Sequence, residues 1–514
     1  MAEASEYIVE FRHITKRFPG IIANNDISFG IKEGEVFALL GENGAGKSTL
    51  MSILFGMYEP DEGEIYIRGQ RTKIKSPSHA SELSIGMVHQ HFKLVENFTI
   101  TENIVLGIEP EKKVCGLPLV DLKKTNQEIK ELSVRYGLNV NPTDLIEDIN
   151  VSTRQRVEIL KMLYRKADIL IFDEPTAMLT PQEIDFLLDI ILKLKSDGKT
   201  IILISHKLDE IKKVADRCAI LRNGHLIDLM DVADRSTQEM ANLMVGGHVS
   251  LKLEKNPAQV REKILEVKDL VLKNDFGVEI VHKVSFSIRA GEIFSLSGVA
   301  GNGQMEIADA IAGLLPVDSG QIFYKGQDIT KLSVRQRIEA GISYIPEDRQ
   351  SYGLILDLPL AKNLALKSYY TEPFAKGGVL QERIFQDHAD QLIKEYDIRS
   401  GQGKDTIVRS MSGGNQQKAI VAREIDLASD LLIFVQPTRG LDIGATQFMR
   451  KKIIAESRRN KAVLLISLEL DEIMACSDRI GVIYNGQIQR IADSAEISRE
   501  EIGEAMMGVR QDEK

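Results

Sequence analysis

The chain has 514 residues, 65 Lys and Arg against 75 Asp and Glu, and a formal net charge of −10. That acidic balance argues against nucleic acid as a main partner, because a surface that grips phosphate backbones needs an excess of Lys and Arg. The three cysteines, Cys115, Cys218 and Cys476, have no metal-like spacing and read as buried thiols of a reducing compartment.

In chain order, the opening MAEASEYIVEF has neither a basic n-region nor an apolar h-region, so no signal peptide is expected. No apolar run anywhere approaches the length needed to span a bilayer. The run Val36 to Leu40 predicts a strand, followed by GENGAGKST: Gly41, Glu42, Asn43, Gly44, Ala45, Gly46, Lys47, Ser48 and Thr49. This spacing fits G-x-x-x-x-G-K-[ST], which predicts strand, phosphate loop and helix. The glycines let backbone N–H groups close around phosphate oxygens, and the helix directs its positive N-terminal end at the anion. Lys47 is placed to reach the β- and γ-phosphates and Ser48 to ligate Mg²⁺. Leu50, Ile53, Leu54 and Met57 recur at helical spacing and predict a buried inner face. Taken alone, the motif also fits a glycine-rich turn matching by chance.

The stretch from Glu109 to Asp148, charged with scattered Leu and Ile, predicts helix. ILIFDEP, Ile169 to Pro175, predicts a buried strand ending in two carboxylates. Asp173 can hold Mg²⁺ through water and Glu174 can polarise the water that attacks the γ-phosphate; a solvated loop start is the competing reading of the pair. A second apolar run, Thr200 to Ile204, leads into Ser205 and His206, at the end of a strand of the same sheet.

With these motifs in order, the chain resembles the ATP-binding subunit of an ABC transporter over almost its whole length. The resemblance implies ATP and Mg²⁺ as cofactors and Gln90, in MVHQHFKL, as the glutamine that senses Mg²⁺ and communicates with a membrane partner. It implies Phe18 as the aromatic that stacks on adenine, against the competing reading of an ordinary strand aromatic. His89 and His91 read as structural. The Glu109–Asp148 stretch is then the helical subdomain that receives the membrane partner's coupling helix.

A second copy starts near Lys263, where ILEVKDLVLKN echoes YIVEFRHITKR. Gly298 follows Gly41 by 257 residues and Leu468 follows His206 by 262, a near-constant period. In its loop GVAGNGQME, Gln304 stands in the place of Lys47 and Met305 in that of Ser48. Val435 and Gln436 replace Asp173 and Glu174, and Glu347 in YIPEDR replaces Gln90. The family's signature motif shows the opposite pattern. MSGGNQQK, Met411 to Lys418, keeps Ser412, Gly413 and Gly414, whereas the first copy reads INVSTRQR, with Asn150, Val151, Ser152 and Arg154 at the corresponding places.

The predicted fold is α/β: two tandem P-loop NTPase domains of ABC ATPase type, each with a mixed β core and a helical subdomain. They are expected at 1–248 and 263–514, with 249–262 as a polar, solvated linker. In this family two such domains pack head to tail, so the resemblance implies one composite site with every consensus part. Its nucleotide-binding residues are Phe18, the loop Gly41–Thr49, Ser412, Gly413 and Gly414. Its metal-binding residues are Ser48, Gln90 and Asp173, and its catalytic residues are Glu174, His206 and Gln90. The other composite site collects the altered parts.

Three stretches, QPTRGLD, SGGNQQK and VHQHFKLVENFTITENI, resemble tandem importer ATPases for simple sugars and nucleosides, the last most like the purine-nucleoside branch. This implies an ATPase peripheral to the cytoplasmic face of the cell membrane, working with two integral membrane permease subunits and an extracytoplasmic solute-binding protein. An importer for another small solute stays open. A soluble tandem ABC ATPase acting on ribosomes is expected to keep both sites and carry a long charged linker, and a non-hydrolysing scaffold is expected to lack Glu174.

Overall fold

The computed structural model describes all residues except 1–5, 20, 90–92, 115–116, 177–178, 180, 248–254, 256–257, 275 and 509–514. The chain forms two compact units, Met1–Val249 and Ser250–Lys514.

In the first unit a six-stranded sheet runs in the order His225–Asp231, Arg217–Arg222, Val36–Leu40, Thr200–Ile204, Ile169–Asp173, Ile85–Val88. All neighbours are parallel except the edge pair Arg217–Arg222 and His225–Asp231. Val36–Leu40, Thr200–Ile204 and Ile169–Asp173 are buried along their whole length. Strands covered on both faces need apolar residues at every position, which is why these runs lack polar alternation. An antiparallel sheet of Ile21–Lys32, Tyr7–Phe18, Glu62–Ile67 and Gln70–Arg71 completes the core. There Phe29 stacks on Phe37 at 5.3 Å between ring centroids.

The second unit repeats this design. Its main sheet runs Ile342–Ile345, Leu431–Val435, Ala462–Ile466, Ile293–Ser297, Arg479–Tyr484, Gln487–Asp493. Phe286 stacks on Phe294 at 5.2 Å, the counterpart of the Phe29–Phe37 pair. The expected α/β class with a mixed β core in each repeat is therefore what the chain forms.

Three local expectations need correction. The Glu109–Asp148 stretch is not helical throughout: Glu111–Val114 and Leu117–Val120 pair as an antiparallel hairpin before the helix Leu122–Tyr136 begins. Pro118 cannot donate a backbone hydrogen bond and disfavours a helix there, and Gly137, at φ 74°, ends the helix that follows. The phosphate-loop helix spans Lys47–Leu54, so Met57 lies beyond it and is exposed, while Met51 joins Leu50, Ile53 and Leu54 on the buried face. In the predicted linker, Lys255 is not merely solvated. It pairs with Asp478 at 3.1 Å and donates to the Ser477 carbonyl.

Cys218 and Cys476 are free and buried, and burial pushes each thiol up to about 12; Cys115 lies outside the described residues. Among the described residues no helix is long and apolar enough to cross a membrane.

Candidate functional site

The first unit gathers its polar motif residues at the C-terminal ends of the parallel strands. Gly44 (φ 80°) and Gly46 (φ 100°) take left-handed backbone conformations that favour glycine. A Cβ on Gly46 would stand 2.6 Å from the Asn24 amide, which itself donates to the Gly46 carbonyl at 3.0 Å. The helix Lys47–Leu54 starts without a side-chain cap, which leaves first-turn amides for an anion. Lys47 is buried, and its ammonium folds back to donate to the Gly41 and Glu42 carbonyls at 2.8 and 2.9 Å. These contacts hold the charge at the loop, where phosphate oxygens can replace the carbonyls.

The next strand but one brings in the acids. Ser48 Oγ donates to Asp173 Oδ1 at 3.4 Å, linking the loop to the end of Ile169–Asp173. Burial, reinforced by the neighbouring Glu174 charge, raises the Asp173 carboxyl to about 6. Glu174 sits at φ 47°, an uncommon conformation for a residue with a side chain, and its N–H donates to the Ile204 carbonyl at 3.0 Å. The parallel register pairs Ile204 with Asp173, so Glu174 and His206 emerge side by side just past the sheet. His206 Nδ1 lies 3.4 Å from Glu174 Oε1, an ion-pair distance without hydrogen-bond alignment. The His206 contact holds the Glu174 carboxyl below its usual range, against the opposing effect of burial. The two acids are thus driven apart in proton affinity.

Other sequence-predicted residues fall as follows. Gln90 and His91 lie outside the described residues. His89 meets Phe55 edge-on at 5.8 Å. Phe18 ends the strand Tyr7–Phe18 and meets Tyr58 edge-on at 5.3 Å. Asn43 and Ser48 are exposed at the loop, Glu42 and Thr49 are partly buried, and Ala45 is buried.

A supporting layer outside the predicted site backs these residues. Gln155 donates to the Pro175 carbonyl at 2.7 Å, directly behind Glu174. Thr176 donates to Glu210 at 2.8 Å, and Lys207 lies 3.6 Å from the same carboxylate. Gln155 carried a faint signal through its place in the signature stretch. Glu210 and Lys207 carried none, since they act through a backbone turn that only the fold brings near.

The second unit preserves the backbone and changes the chemistry. Gly301 and Gly303 take φ of 86° and 101°, and buried Gln304 donates its amide to the Val299 carbonyl at 3.1 Å, a neutral counterpart of the Lys47 contact. Met305 packs against the apolar core and Val435 is buried within it. Gln436 repeats the left-handed conformation at φ 50° and its N–H donates to Ile466 O at 2.8 Å. Its Oε1 accepts from the Leu468 amide at 3.3 Å.

The two signature helices begin differently. Asn150 caps Val151–Tyr164 by accepting from the Thr153 amide at 2.8 Å, and Arg154 pairs with Glu96 at 3.3 Å. Ser412 stands at the N-cap of Gly413–Asp426 but makes no capping bond; its hydroxyl accepts from the Asn415 side chain at 2.9 Å instead. With bare backbone at Gly413 and Gly414, that helix end keeps amides available for an oxyanion.

A strand, a glycine loop over a helix start, and acids at the end of the next parallel strand but one define a P-loop nucleotide-binding protein, its backbone built twice in one chain and its acids once. Residues 24–177 and 281–439 match the family model described as ABC transporter, and the chain belongs to that family as an ABC-type ATP-binding protein and ATPase. It is 51% identical to the nucleoside import ATP-binding protein NupA of Lactococcus lactis subsp. cremoris, over 98% of this chain and 99% of that one. It is 50% identical to the guanosine import ATP-binding protein NupO of Bacillus subtilis, over 99% of each chain. A glucose import ATP-binding protein of Haloferax volcanii, TsgD13, is 39% identical over 98% of this chain and 96% of its own length. Among solved structures, an archaeal ribosome recycling factor in complex with a ribosomal stalk protein shares the fold, with TM-score 0.63 at 18% identity, over 97% of this chain and 92% of that one. The resemblance to nucleoside and sugar importer ATPases is borne out by these relatives.

Proposed function

We propose that this chain hydrolyses ATP to energise an importer of nucleosides, from the cytoplasmic face of the membrane, beside two permease subunits and an extracytoplasmic solute-binding protein. Nucleosides are favoured over simple sugars because relatives named for nucleoside and guanosine import share 51% and 50% of residues, against 39% for the glucose-import relative.

Hydrolysis is assigned to one site. The loop Gly41–Thr49 cradles the phosphates, Lys47 supplies positive charge to them, Phe18 faces adenine, Glu174 orients the attacking water and His206 faces the γ-phosphate. Gln90 is assigned the sensing role on sequence alone. The signature Ser412, Gly413 and Gly414 completes this site, while the Gln304 loop and the Asn150 signature form one that at most holds nucleotide. The carrying observation is the contrast between Asp173, Glu174 and His206 and their counterparts Val435, Gln436 and Leu468 on matching backbone.

The residues fit Mg²⁺. Ser48 Oγ and Asp173 Oδ1 are 3.4 Å apart, and the Asp173 carboxyl, raised to about 6, is one that a nearby cation would bring back to its charged form. Mg²⁺ takes few protein ligands and completes its shell with phosphates and water. The second unit offers Met305 and Val435 at these places, neither with an oxygen ligand in its side chain.

The test is steady-state ATP hydrolysis by the chain with its co-expressed membrane partners, comparing wild type, Glu174→Gln and Gln436→Ala. Loss of turnover with Glu174→Gln alone supports a single hydrolytic site. Equal loss with both variants, or with neither, overturns it.

A further inference from the structure

Three turns of the second unit meet around one arginine. Arg349 opens the helical turn Arg349–Gly353, whose start is fixed by Asp348 accepting from the Gln350 and Ser351 amides at 2.8 and 3.0 Å. The partly buried guanidinium reaches the signature, where Nη1 donates to the Gly413 carbonyl at 3.4 Å. A Cβ placed on Gly413 would stand 3.4 Å from that guanidinium, and one on Gly440 3.7 Å, so both turns offer it bare backbone. Gly440 belongs to the turn that follows the strand Leu431–Val435 and its strained Gln436. Its neighbour Arg439 forms an ion pair with Glu347, two residues before Arg349.

The charges explain why a glutamate stands at position 347. Burial and the nearby Arg439 both disfavour the positive form of Arg349, with the adjacent Asp348 carboxylate opposing them, and two guanidinium groups so placed repel each other. The Glu347 carboxylate offsets that repulsion by pairing with Arg439; the amide of a glutamine, which the first copy carries at Gln90, could not. The first copy has Phe92, Ala177 and Met178 where the second has Arg349, Arg439 and Gly440. Its signature reads Asn150, Val151, Ser152. The charged bridge therefore accompanies the signature that keeps its glycines, and is missing from the sequence of the altered one.

We propose that Arg349 is a positioning residue that ties the Pro346–Arg349 loop to the Ser412–Gly413 signature turn, so that the state of that loop sets the signature's readiness for hydrolysis at the Lys47 loop. This rests on the reading above, that the Ser412 signature serves the Lys47 loop. Glu347 keeps the bridge in place by neutralising Arg439, so position 347 is a working part of the hydrolytic cycle and not an eroded glutamine.

The test uses the full-length chain with its membrane partners, and reads kcat and KM for MgATP, the Kd of MgADP by calorimetry, and the melting temperature. Arg349→Ala is expected to lower kcat about tenfold, within the range that misplacement of a reacting group produces, with MgADP affinity and melting temperature close to wild type. Arg349→Lys, which keeps the charge but not the planar fork, should recover part of that loss. Glu347→Gln, although it installs the first copy's glutamine, should also lower kcat. Wild-type kcat in Arg349→Ala alongside inactive Ser412→Arg overturns the bridge alone. A parallel fall of kcat, MgADP affinity and melting temperature overturns it in favour of a merely structural role. Full activity of Ser412→Arg overturns the underlying two-site reading and the bridge with it.

Discussion

At the scale of single residues, the two units differ mainly in charge placed on a shared backbone. Lys47 and Gln304 both fold onto loop carbonyls, yet only the first carries an ammonium. Lys47→Ala is therefore expected to lower turnover by about 10²–10³-fold, since phosphoryl transfer depends on positioning and charge stabilisation. Gln304→Ala should change it less than about threefold, and steady-state hydrolysis by the two variants checks this. Asp173 makes a second prediction. Its folded-state carboxyl, near 6, lies above its ordinary value of 3.8, so the native chain holds a proton that the unfolded chain releases between those pH values. Stability from this group is then present below about pH 4 and is lost as pH rises through 6. Without Mg²⁺, Asp173→Asn should be more stable than wild type at pH 7.5, by about 1–3 kcal/mol, and no more stable at pH 4. Denaturation at the two pH values reads the difference.

At the scale of elements, the starts of two helices separate stability from activity. Asn150 satisfies an amide of its own helix, whereas Ser412 leaves its helix uncapped. Asn150→Ala should cost about 1 kcal/mol of stability with little change in hydrolysis. Ser412→Ala should do the reverse, with an unchanged melting temperature and a clear fall in kcat. Thermal melts beside turnover measurements test the crossed pattern, and equal effects on both readouts in either variant contradict it. The strand elements were legible in the sequence because full burial leaves no room for polar alternation, as in Ile169–Asp173 and Thr200–Ile204. The strand pair Glu111–Val114 and Leu117–Val120 was not, because two four-residue strands, one charged and one apolar, are too short to carry a helical or strand period that separates the two. Met57 was misassigned because its spacing extends the helix pattern past Gly56, whose left-handed φ of 77° ends the helix.

At the scale of the whole molecule, the two copies divide the family's motifs: Lys47, Asp173 and Glu174 stand in the first, and Ser412, Gly413 and Gly414 in the second. An importer subunit should co-purify with integral membrane proteins when a tagged chain is drawn from gently solubilised cells. Recovery with ribosomes instead would favour the alternative of a soluble ATPase acting on ribosomes.

The sequence by itself determined the P-loop class, the duplication and which copy holds Lys47, Asp173 and Glu174, because phosphate binding demands particular residue types at fixed local spacing. Tertiary structure alone decided what those residues experience. The proton affinity of Asp173, the pairing of Glu174 with His206, and the support from Gln155, Thr176 and Glu210 arise between segments far apart in the chain. So does the Arg349 contact with Gly413. Burial and cross-segment electrostatics have no sequence period, so they become visible only once the parallel register has placed the strand ends side by side.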